Sequence, residues 1–305
     1  MAWIENMDAE GRCGYMVSAC RKRLWNAELE IYEYFKEVCS RYGLRHFLIA
    51  GSALGGVRHH GFIPWDDDID IGMVRTDFDV LVKIAPKEFM DQYTITYGIL
   101  ENRVSPLLRI RDKETTGIIY GERGTKHNKG VFIEIYVYDF VPDDEEERKK
   151  QIDRVEALTY SANFKIQRKP VKTKDDVCLW CKLLGKSPEK LWNDVYVECT
   201  KYPDGGWMNT VITPIYARTN EQLITRKMAD RIIPVKFENS TAYILEDSDA
   251  LLKRCFGDYM QLPPVEERGM HHQQVVFYDP DHPYDYYENN SVVEEFFAGK
   301  FHGLL

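Results

Sequence analysis

The sequence predicts an α/β fold, in which a small mixed sheet is flanked by helices and is followed by a largely helical C-terminal half. Three observations lead to this class: helical spacing of apolar residues near the N-terminus, alternation of acidic and apolar residues around residue 70, and a long helical pattern after residue 142. A chain of 305 residues has room for one large domain or two smaller ones. We therefore predict a core domain over residues 1–142 and a helical and mixed region over residues 143–305.

The N-terminal elements alternate between helix and strand. Apolar residues recur at three- and four-residue steps, which predicts an amphipathic helix that ends at Gly43. These residues are Leu24, Ala27, Ile31, Phe35 and Val38. A short apolar run over residues 46–50 predicts a buried strand, after which Ser52 can cap a short helix that stops near Gly61. Residues 68–71 alternate Asp with Ile, which is the two-residue period of a strand.

The later part of the chain predicts one long strand and then several helices. Residues 130–142 form an alternating apolar stretch that carries Glu134 among aliphatic and aromatic residues. The run over residues 143–150 places acids before bases, which suits the start of a helix because acids favour the positive end of the helix dipole. We interpret this run as a solvated helix start. Helical patterns follow over residues 177–184, 188–197 and 248–255.

Composition and charge exclude several classes of protein. The net charge of −9 makes the chain a poor general binder of nucleic acid, because such binding depends mostly on neutralising phosphates. No apolar run approaches the ~18 residues that span a bilayer, so we expect no transmembrane segment. The N-terminal residues lack the pattern of a secretory signal. The chain also has seven cysteines, an odd number that does not suit a framework of disulfides. Together these two observations predict a cytoplasmic protein with reduced thiols.

The acidic cluster near residue 70 carries the chemistry of the sequence. On a strand, Asp68 and Asp70 point to the same face, and two adjacent carboxylates repel each other unless a cation lies between them. Oxygen ligands of this kind suit Mg²⁺ or Mn²⁺. Gly51 and Ser52 would open a helix whose free N–H groups favour phosphate. Glu134 is the natural third carboxylate, so the set predicts a reaction at phosphorus assisted by a divalent metal ion.

Other interpretations of these residues stay open. Residues 66–70 could be an exposed acidic turn, although the alternating Ile residues argue against a solvated face. A calcium-binding EF-hand loop fails, because the sixth position from Asp66 is Ile71 rather than Gly. For Asp67 we prefer a supporting or capping role, or a contact in the substrate pocket, to metal ligation.

Arginines near the cluster allow two readings. The guanidinium groups of Arg58, Arg109 and Arg111 could neutralise a pyrophosphate, because arginine offers a bidentate fork. Arg58 could equally brace the motif itself. Arg109 and Arg111 alternate along a predicted strand, so both can face the same side, and either could pair with a carboxylate instead.

The segment IAGSALGGVRHHGFIPWDDDIDIGM, residues 49–73, resembles the signature of the LicD family. This family belongs to the nucleotidyltransferase (polymerase-beta-like) superfamily and includes the fukutin-related proteins. The superfamily pattern of a Gly-Ser pair, an acid-x-acid strand and a third acid is matched here by Gly51-Ser52, by Asp68 and Asp70, and by Glu134. The third acid is usually Asp in the family, so Glu134, with its longer side chain, is a departure from the pattern.

Two more segments resemble the family, so that the resemblance extends from about residue 30 to about residue 272. They are LRIRDKETT, residues 108–116, and FGDYMQLPPVEERGMHH, residues 256–272. The second segment carries Arg268, His271 and His272, which we name as candidates for a substrate pocket. None of these segments anchors the stretch from Pro142 to about Ile233.

The resemblance implies an activity. It implies a transferase that moves a phospho-alcohol, such as phosphocholine, from a CDP-linked donor to a sugar hydroxyl of a cell-surface glycan or glycolipid, and that releases CMP. Mg²⁺ or Mn²⁺ would be held by Asp68, Asp70 and Glu134. The acceptor could bring the protein into peripheral contact with a membrane.

Three alternatives remain. The same fold could transfer a nucleotide from an NTP and release pyrophosphate. The acids could belong to a metal-dependent glycosyltransferase, although only 67 residues precede Asp68, which is short for a nucleotide-binding half. The third alternative is a non-catalytic nucleotide- or glycan-binding protein.

Overall fold

The computed structural model describes residues 3–99, 104–119, 127–167, 173–269 and 275–287. Within these residues the predicted α/β class, with a mixed sheet flanked by helices, is confirmed. The chain forms two compact units that are discontinuous in sequence. Unit 1 comprises Met1–Ile95, Arg109–Ile135 and Arg231–Leu305, and unit 2 comprises Thr96–Leu108 and Tyr136–Asp230. The boundary after residue 142 stays a prediction.

The elements of the described residues have the following bounds. The α-helices are α1 (Ala19–Tyr42), α2 (Ala50–Leu54), α3 (Arg75–Glu88), α4 (Glu145–Ile166), α5 (Lys174–Leu183), α6 (Pro188–Cys199), α7 (Pro214–Ala217), α8 (Arg226–Ala229) and α9 (Ser248–Phe256). The strands are β1 (Glu10–Arg12), β2 (Tyr15–Val17), β3 (Phe47–Leu48), β4 (Asp70–Val74), β5 (Tyr93–Ile99), β6 (Val104–Asp112), β7 (Thr116–Ile119), β8 (Phe132–Val141), β9 (Trp207–Asn209), β10 (Ile224–Thr225), β11 (Ile232–Phe237), β12 (Ser240–Leu245) and β13 (Val275–Asp279). A π-helical turn, Gly55–His59, follows α2 directly.

Helix α1 is the longest element of unit 1, and its two ends follow local rules. The hydroxyl of Ser18 accepts a hydrogen bond from the backbone N–H of Arg21, which caps the start of the helix. Gly43 has a φ of 65°, the left-handed conformation that glycine adopts most easily, and it ends the helix as predicted. The apolar positions predicted from the spacing are buried.

The sheet of unit 1 is built around β4. Strand β3 pairs with β4 in antiparallel fashion, with Phe47 opposite Gly72, and β8 lies on the other side of β4. The predicted strand over residues 68–71 begins only at Asp70, so Asp68 lies just before it. The prediction that both acids belong to one strand is therefore wrong for Asp68, because the main-chain pairing of β4 with β3 involves only residues 71 and 72.

Unit 2 contains a second part of the same strand β8 and a group of helices. Residues 139–141 of β8 pair with β9, which pairs with β10. Helix α4 starts where the charge pattern predicts, and the carboxylate of Asp144 accepts a hydrogen bond from the backbone N–H of Glu147. A core cluster of unit 2 contains Ala162, Phe164 and Leu191. The solvated helix start that we predict over residues 143–150 is confirmed.

Three antiparallel strand pairs complete unit 1: β1 with β2, β7 with β13, and β11 with β12. Among the described helices, none combines the length and the apolar character that a bilayer span requires.

Candidate active site

The acids predicted to carry chemistry lie in residues 66–70, which we call the acid segment. It belongs to unit 1 and leads directly into β4. Asp66, Asp67 and Asp70 are buried, with 5%, 0% and 8% of their surface exposed, whereas Asp68 is partly exposed. The interpretation as an exposed acidic turn is therefore wrong. Buried carboxylates at this density need counter-charges, protons or hydrogen-bond donors.

Ser52 holds the acid segment by its main chain. Its hydroxyl oxygen accepts a hydrogen bond from the backbone N–H of Asp70 at 2.8 Å and donates one to the carbonyl of Asp68 at 3.4 Å. The prediction that Ser52 caps a helix is wrong, because α2 already begins at Ala50 and Ser52 is buried inside it. The hydroxyl is used by the acid segment and not by the end of the helix.

Gly51 allows a close approach of Asp66. A Cβ atom at this position would lie 2.6 Å from the Oδ2 of Asp66, which is nearer than real Cβ contacts. A side chain at Gly51 would therefore displace the carboxylate. This contact gives a physical reason for the Gly-Ser pair: glycine makes room for Asp66, and serine fixes the backbone at Asp68 and Asp70.

Glu134 lies directly beside the two acids. Its backbone N–H donates a hydrogen bond to the carbonyl of Ile69 at 3.0 Å, which places it opposite the residue between Asp68 and Asp70. Its Oε1 accepts a hydrogen bond from Arg109 Nε at 2.6 Å and forms an ion pair with Arg109 Nη2 at 2.5 Å. Both side chains are nearly or fully buried, so Arg109 fixes the direction of this carboxylate.

Helix α1 contributes three side chains that the sequence did not reveal. Arg21 Nη1 and Trp25 Nε1 both donate hydrogen bonds to the backbone carbonyl of Asp66, at 2.8 and 2.9 Å. Glu28 follows on the same helix face and is 1% exposed. Their spacing of four and then three residues could have signalled a polar stripe on the buried face of the helix.

The electrostatics of the site favour neutral carboxyl groups in the absence of a cation. Burial raises the pKa of Asp70 well above its ordinary value, and the negative charge of Glu134 raises it further. Burial, followed by Asp70 and Asp66, raises the pKa of Asp68, although part of this side chain reaches solvent. The pKa of Asp66 rises to about 7, chiefly through burial and the nearby Asp67. Burial also raises the pKa of Glu28, and Asp67 adds to the shift.

The donor set fits a hard divalent cation. Asp66, Asp67 and Asp68 each offer a carboxylate oxygen within 4.8 Å of the others. The Oδ1 of Asp70 is buried and has no hydrogen-bond partner among the described residues. Oxygen ligands with an excess of negative charge are the set that Mg²⁺ and Mn²⁺ prefer. The ligand set that we predict, Asp68, Asp70 and Glu134, stays a prediction.

The other predicted arginines contact the main chain. Arg58 Nη1 donates to the carbonyls of Tyr259 at 2.6 Å and Gln261 at 3.2 Å, which favours the bracing role over a phosphate contact. Arg111 is fully buried and donates to the carbonyl of Gly130 at 3.1 Å. Arg109 and Arg111 do share one side of their strand, since both guanidinium groups lie over the ring of Phe132.

The predicted C-terminal pocket residues are described only in part. Arg268 donates to the carbonyls of Pro263 at 2.9 Å and Cys13 at 2.5 Å, and its guanidinium lies 5.3 Å from the ring centre of Trp65. This places it beside the residue that precedes the acid segment. His271 and His272 lie outside the described residues.

Comparisons with known proteins find similarity over the part of the chain that contains the acid segment. Residues 43–172 match the family described as LicD/FKTN/FKRP, nucleotidyltransferase domain. The chain is 27% identical over 256 residues to the lipopolysaccharide cholinephosphotransferase LicD of Haemophilus influenzae, covering 82% of this chain and 94% of that protein. An uncharacterized protein of Rickettsia prowazekii is 36% identical over 72 residues, which are 23% of this chain and 27% of that protein. The predicted family resemblance is confirmed.

Proposed function

The chain is a member of the LicD family through its residues 43–172, and from this premise we propose that it transfers phosphocholine from a CDP-linked donor to a sugar hydroxyl of a cell-surface glycolipid. The observation that carries the proposal is the position of Glu134 opposite Ile69, which brings a third carboxylate beside Asp68 and Asp70. The relative from Haemophilus influenzae, whose name describes a cholinephosphotransferase of lipopolysaccharide, supports the choice of group and acceptor.

The reaction makes and breaks one bond at phosphorus. A bond forms between the acceptor oxygen and the phosphorus that carries choline, and the bond from that phosphorus to the oxygen of CMP breaks. The acceptor hydroxyl loses its proton, and we assign Glu134 as the carboxylate that accepts it. Arg109 orients Glu134 through its two contacts with Oε1, so this carboxylate keeps one direction during the reaction.

The metal requirement follows from the acids. We propose that Asp68, Asp70 and Glu134 hold Mg²⁺ or Mn²⁺, because Asp70 presents a buried oxygen without a partner among the described residues. A divalent ion bound there would offset the charge that develops on the donor phosphates. Of the three predicted arginines, Arg109 contacts an acid of this set, Glu134. We propose that it also helps to neutralise the donor phosphates. For Gly51, Ser52, Arg58 and Arg111 the observed contacts support roles in holding the fold of the site.

The test measures the released nucleotide. Purified protein is incubated with CDP-choline, lipopolysaccharide and Mg²⁺ or Mn²⁺, and mass spectrometry follows CMP and the phosphocholine added to the acceptor. We expect both products, and we expect EDTA to stop their formation. Release of pyrophosphate from CTP, with no CMP from CDP-choline, would favour the nucleotide-transfer alternative. Binding without turnover of either donor would favour the non-catalytic alternative.

A binding measurement supports the assay and identifies the donor. A ligand present at 100 times its Kd stabilises a folded protein by about 2.7 kcal/mol, so a true donor raises the melting temperature clearly. CDP-choline, CDP-ribitol, CDP-glycerol, CTP and UDP-sugars form the panel, each with and without Mn²⁺. We expect CDP-choline to give the largest shift, and only with the metal present.

A further inference from the structure

The acid segment is held by its main chain at three points. Ser52 binds it at its C-terminal end, and Glu134 binds the carbonyl of Ile69 in its middle. At its N-terminal end the carbonyl of Asp66 accepts two hydrogen bonds, from Arg21 and from Trp25. Neither of these two residues belongs to the matched segment 43–172.

The two donors on Asp66 are unusually well fixed. Trp25 is fully buried, and its ring stacks on Phe62 with parallel planes and a centroid distance of 4.8 Å. Arg21 is 3% exposed, so its guanidinium has lost most of its water. Both lone pairs of one carbonyl are thus used by rigid or buried donors on the same face of α1. Rotation of the peptide that follows Asp66 would break both hydrogen bonds together.

We propose that Trp25 and Arg21 are positioning residues, which hold the Asp66 carbonyl so that the carboxylates of Asp68 and Asp70 face a common divalent cation. The proposal rests on the metal requirement of the proposed function. Neither residue contacts the cation in it. Their effect passes through the main chain from Asp66 to Asp68, and the anchor at Ser52 keeps the other end of the segment in place.

The neutral side chain gives the cleaner variant. Removing the charge of Arg21 would change cation affinity by electrostatics alone, whereas Trp25→Phe changes no charge: it removes the N–H donor together with part of the buried ring, and it keeps an aromatic ring against Phe62. The matched control is Tyr34→Phe on the same helix. The Tyr34 hydroxyl also donates to a backbone carbonyl at 2.9 Å, but to that of Glu88, which lies outside the acid segment.

The experiment measures the dissociation constant of Mn²⁺ from the full chain by electron paramagnetic resonance of the free ion, with thermal unfolding of each variant alongside. Trp25→Phe should raise this constant about three- to tenfold, as expected for one buried hydrogen bond. Tyr34→Phe removes a hydroxyl and leaves the ring in place, so it should lower the melting temperature less than Trp25→Phe and leave the constant within about twofold of the wild type. A purely structural role of Trp25 predicts that Trp25→Phe lowers the melting temperature and leaves the Mn²⁺ dissociation constant within about twofold of the wild type, as Tyr34→Phe does.

A second variant covers the case in which Trp25→Phe does not fold. Arg21→Lys keeps the charge and loses the geometry of the guanidinium, so it should also raise the Mn²⁺ dissociation constant. If Trp25→Phe and Arg21→Lys, or whichever of them folds, keep a Mn²⁺ dissociation constant within twofold of the wild type, the inference is overturned and the proposed function stays intact. Absence of Mn²⁺ binding by the wild type would overturn the proposed metal requirement, and the inference with it.

Discussion

The acid segment and the acidic run over residues 143–147 have similar composition and opposite surroundings. The first is buried in unit 1, with Asp67 fully inaccessible. The second opens α4 in unit 2, where the side chains of Glu145, Glu146 and Glu147 are 59%, 72% and 50% exposed. A run of acids in a sequence therefore does not by itself indicate a functional site.

The difference between the two runs comes from their neighbours in sequence and in space. The exposed run is followed by bases, and Lys149 and Lys150 pair with glutamates one turn before them. The buried run has Ile69 between its acids and Ile71 directly after them, and both isoleucines are fully buried in the core. Exposed pairs are screened by water and contribute little, whereas buried acids govern both stability and chemistry. The comparison therefore predicts that substitutions in the acid segment have large effects on turnover and stability, and that substitutions in the exposed run have small ones.

The largest effect should come from neutralising Asp68 or Asp70. Each change to Asn should reduce CMP release from CDP-choline by about a hundredfold or more, because it removes an oxygen ligand from the site. In the metal-free protein Asp70→Asn should raise the unfolding free energy near pH 8 by about 1 kcal/mol, since Asn does not ionise in a buried site that favours the neutral acid. Steady-state kinetics and urea unfolding in EDTA measure the two effects.

Asp67 provides the control inside the same segment. It is buried, and its backbone N–H donates to Asp66 Oδ1 at 3.2 Å. If its role is to support the segment, Asp67→Asn keeps measurable turnover. An inactive Asp67→Asn together with an active Asp68→Asn would mean that the metal ligands are assigned one residue out of register.

Much of the scaffold of unit 1 could be predicted from the sequence, because short-range rules determine it. The helical spacing of apolar residues predicts α1, and Gly43 predicts where it ends. Alternation gives β8 and the position of Glu134 within it. The family motif brings Gly51, Ser52 and the acids into one site, and the contacts of Ser52 and Glu134 with the acid segment agree with that grouping.

The remaining features depend on contacts between residues distant in sequence. Arg21 and Trp25 reach Asp66 across about 40 residues of chain, and no local pattern encodes that contact. The ion pair of Arg109 with Glu134 joins two different strands. Alternation suggested that Asp68 lies on the strand, but the pairing partner of β4 ends before it. Ser52 is a good helix cap by residue type, yet its hydroxyl is used by Asp68 and Asp70.

A buried histidine in unit 1 extends the comparison to a side chain whose ionised form is positive rather than negative. His46 is 5% exposed among the rings of Tyr32, Phe35 and Tyr243, and burial lowers its pKa from 6.5 to about 4. The folded state therefore disfavours the protonated imidazole, and stability is lost as the pH falls from 6.5 towards 4. Between about pH 7.5 and about pH 5, the wild type should lose about 2 kcal/mol of unfolding free energy through this group.

The variant His46→Leu isolates that contribution. Urea unfolding is measured at both pH values. The unfolding free energy of the variant, relative to that of the wild type, should rise by this amount as the pH falls, because leucine binds no proton. A constant difference between the two proteins across the range would mean that the pKa of His46 is the same in the folded and unfolded states, which would contradict the lowered value.

Glu28 should produce a smaller effect with the opposite dependence on pH. Its pKa is raised in the folded protein, chiefly by burial, so stability is lost as the pH rises above the ordinary value of 4.5. Glu28→Gln should therefore raise the metal-free unfolding free energy by about 1 kcal/mol near pH 8 and change it little near pH 4. Urea unfolding in EDTA measures this, with Glu37→Gln, exposed on the same helix, as the matched control. Equal effects of the two variants would contradict the buried position of Glu28.

The smallest effect should come from the exposed run. The Glu146 carboxylate is 3.0 Å from Lys149 Nζ, but both side chains are more than half exposed, so water and salt screen the pair. Glu146→Gln should shift the melting temperature by less than about 2 °C and leave CMP release unchanged. Thermal unfolding at low and high salt, together with the kinetic assay, measures both. A loss of turnover comparable to that of Asp68→Asn would contradict the distinction between the two acidic runs.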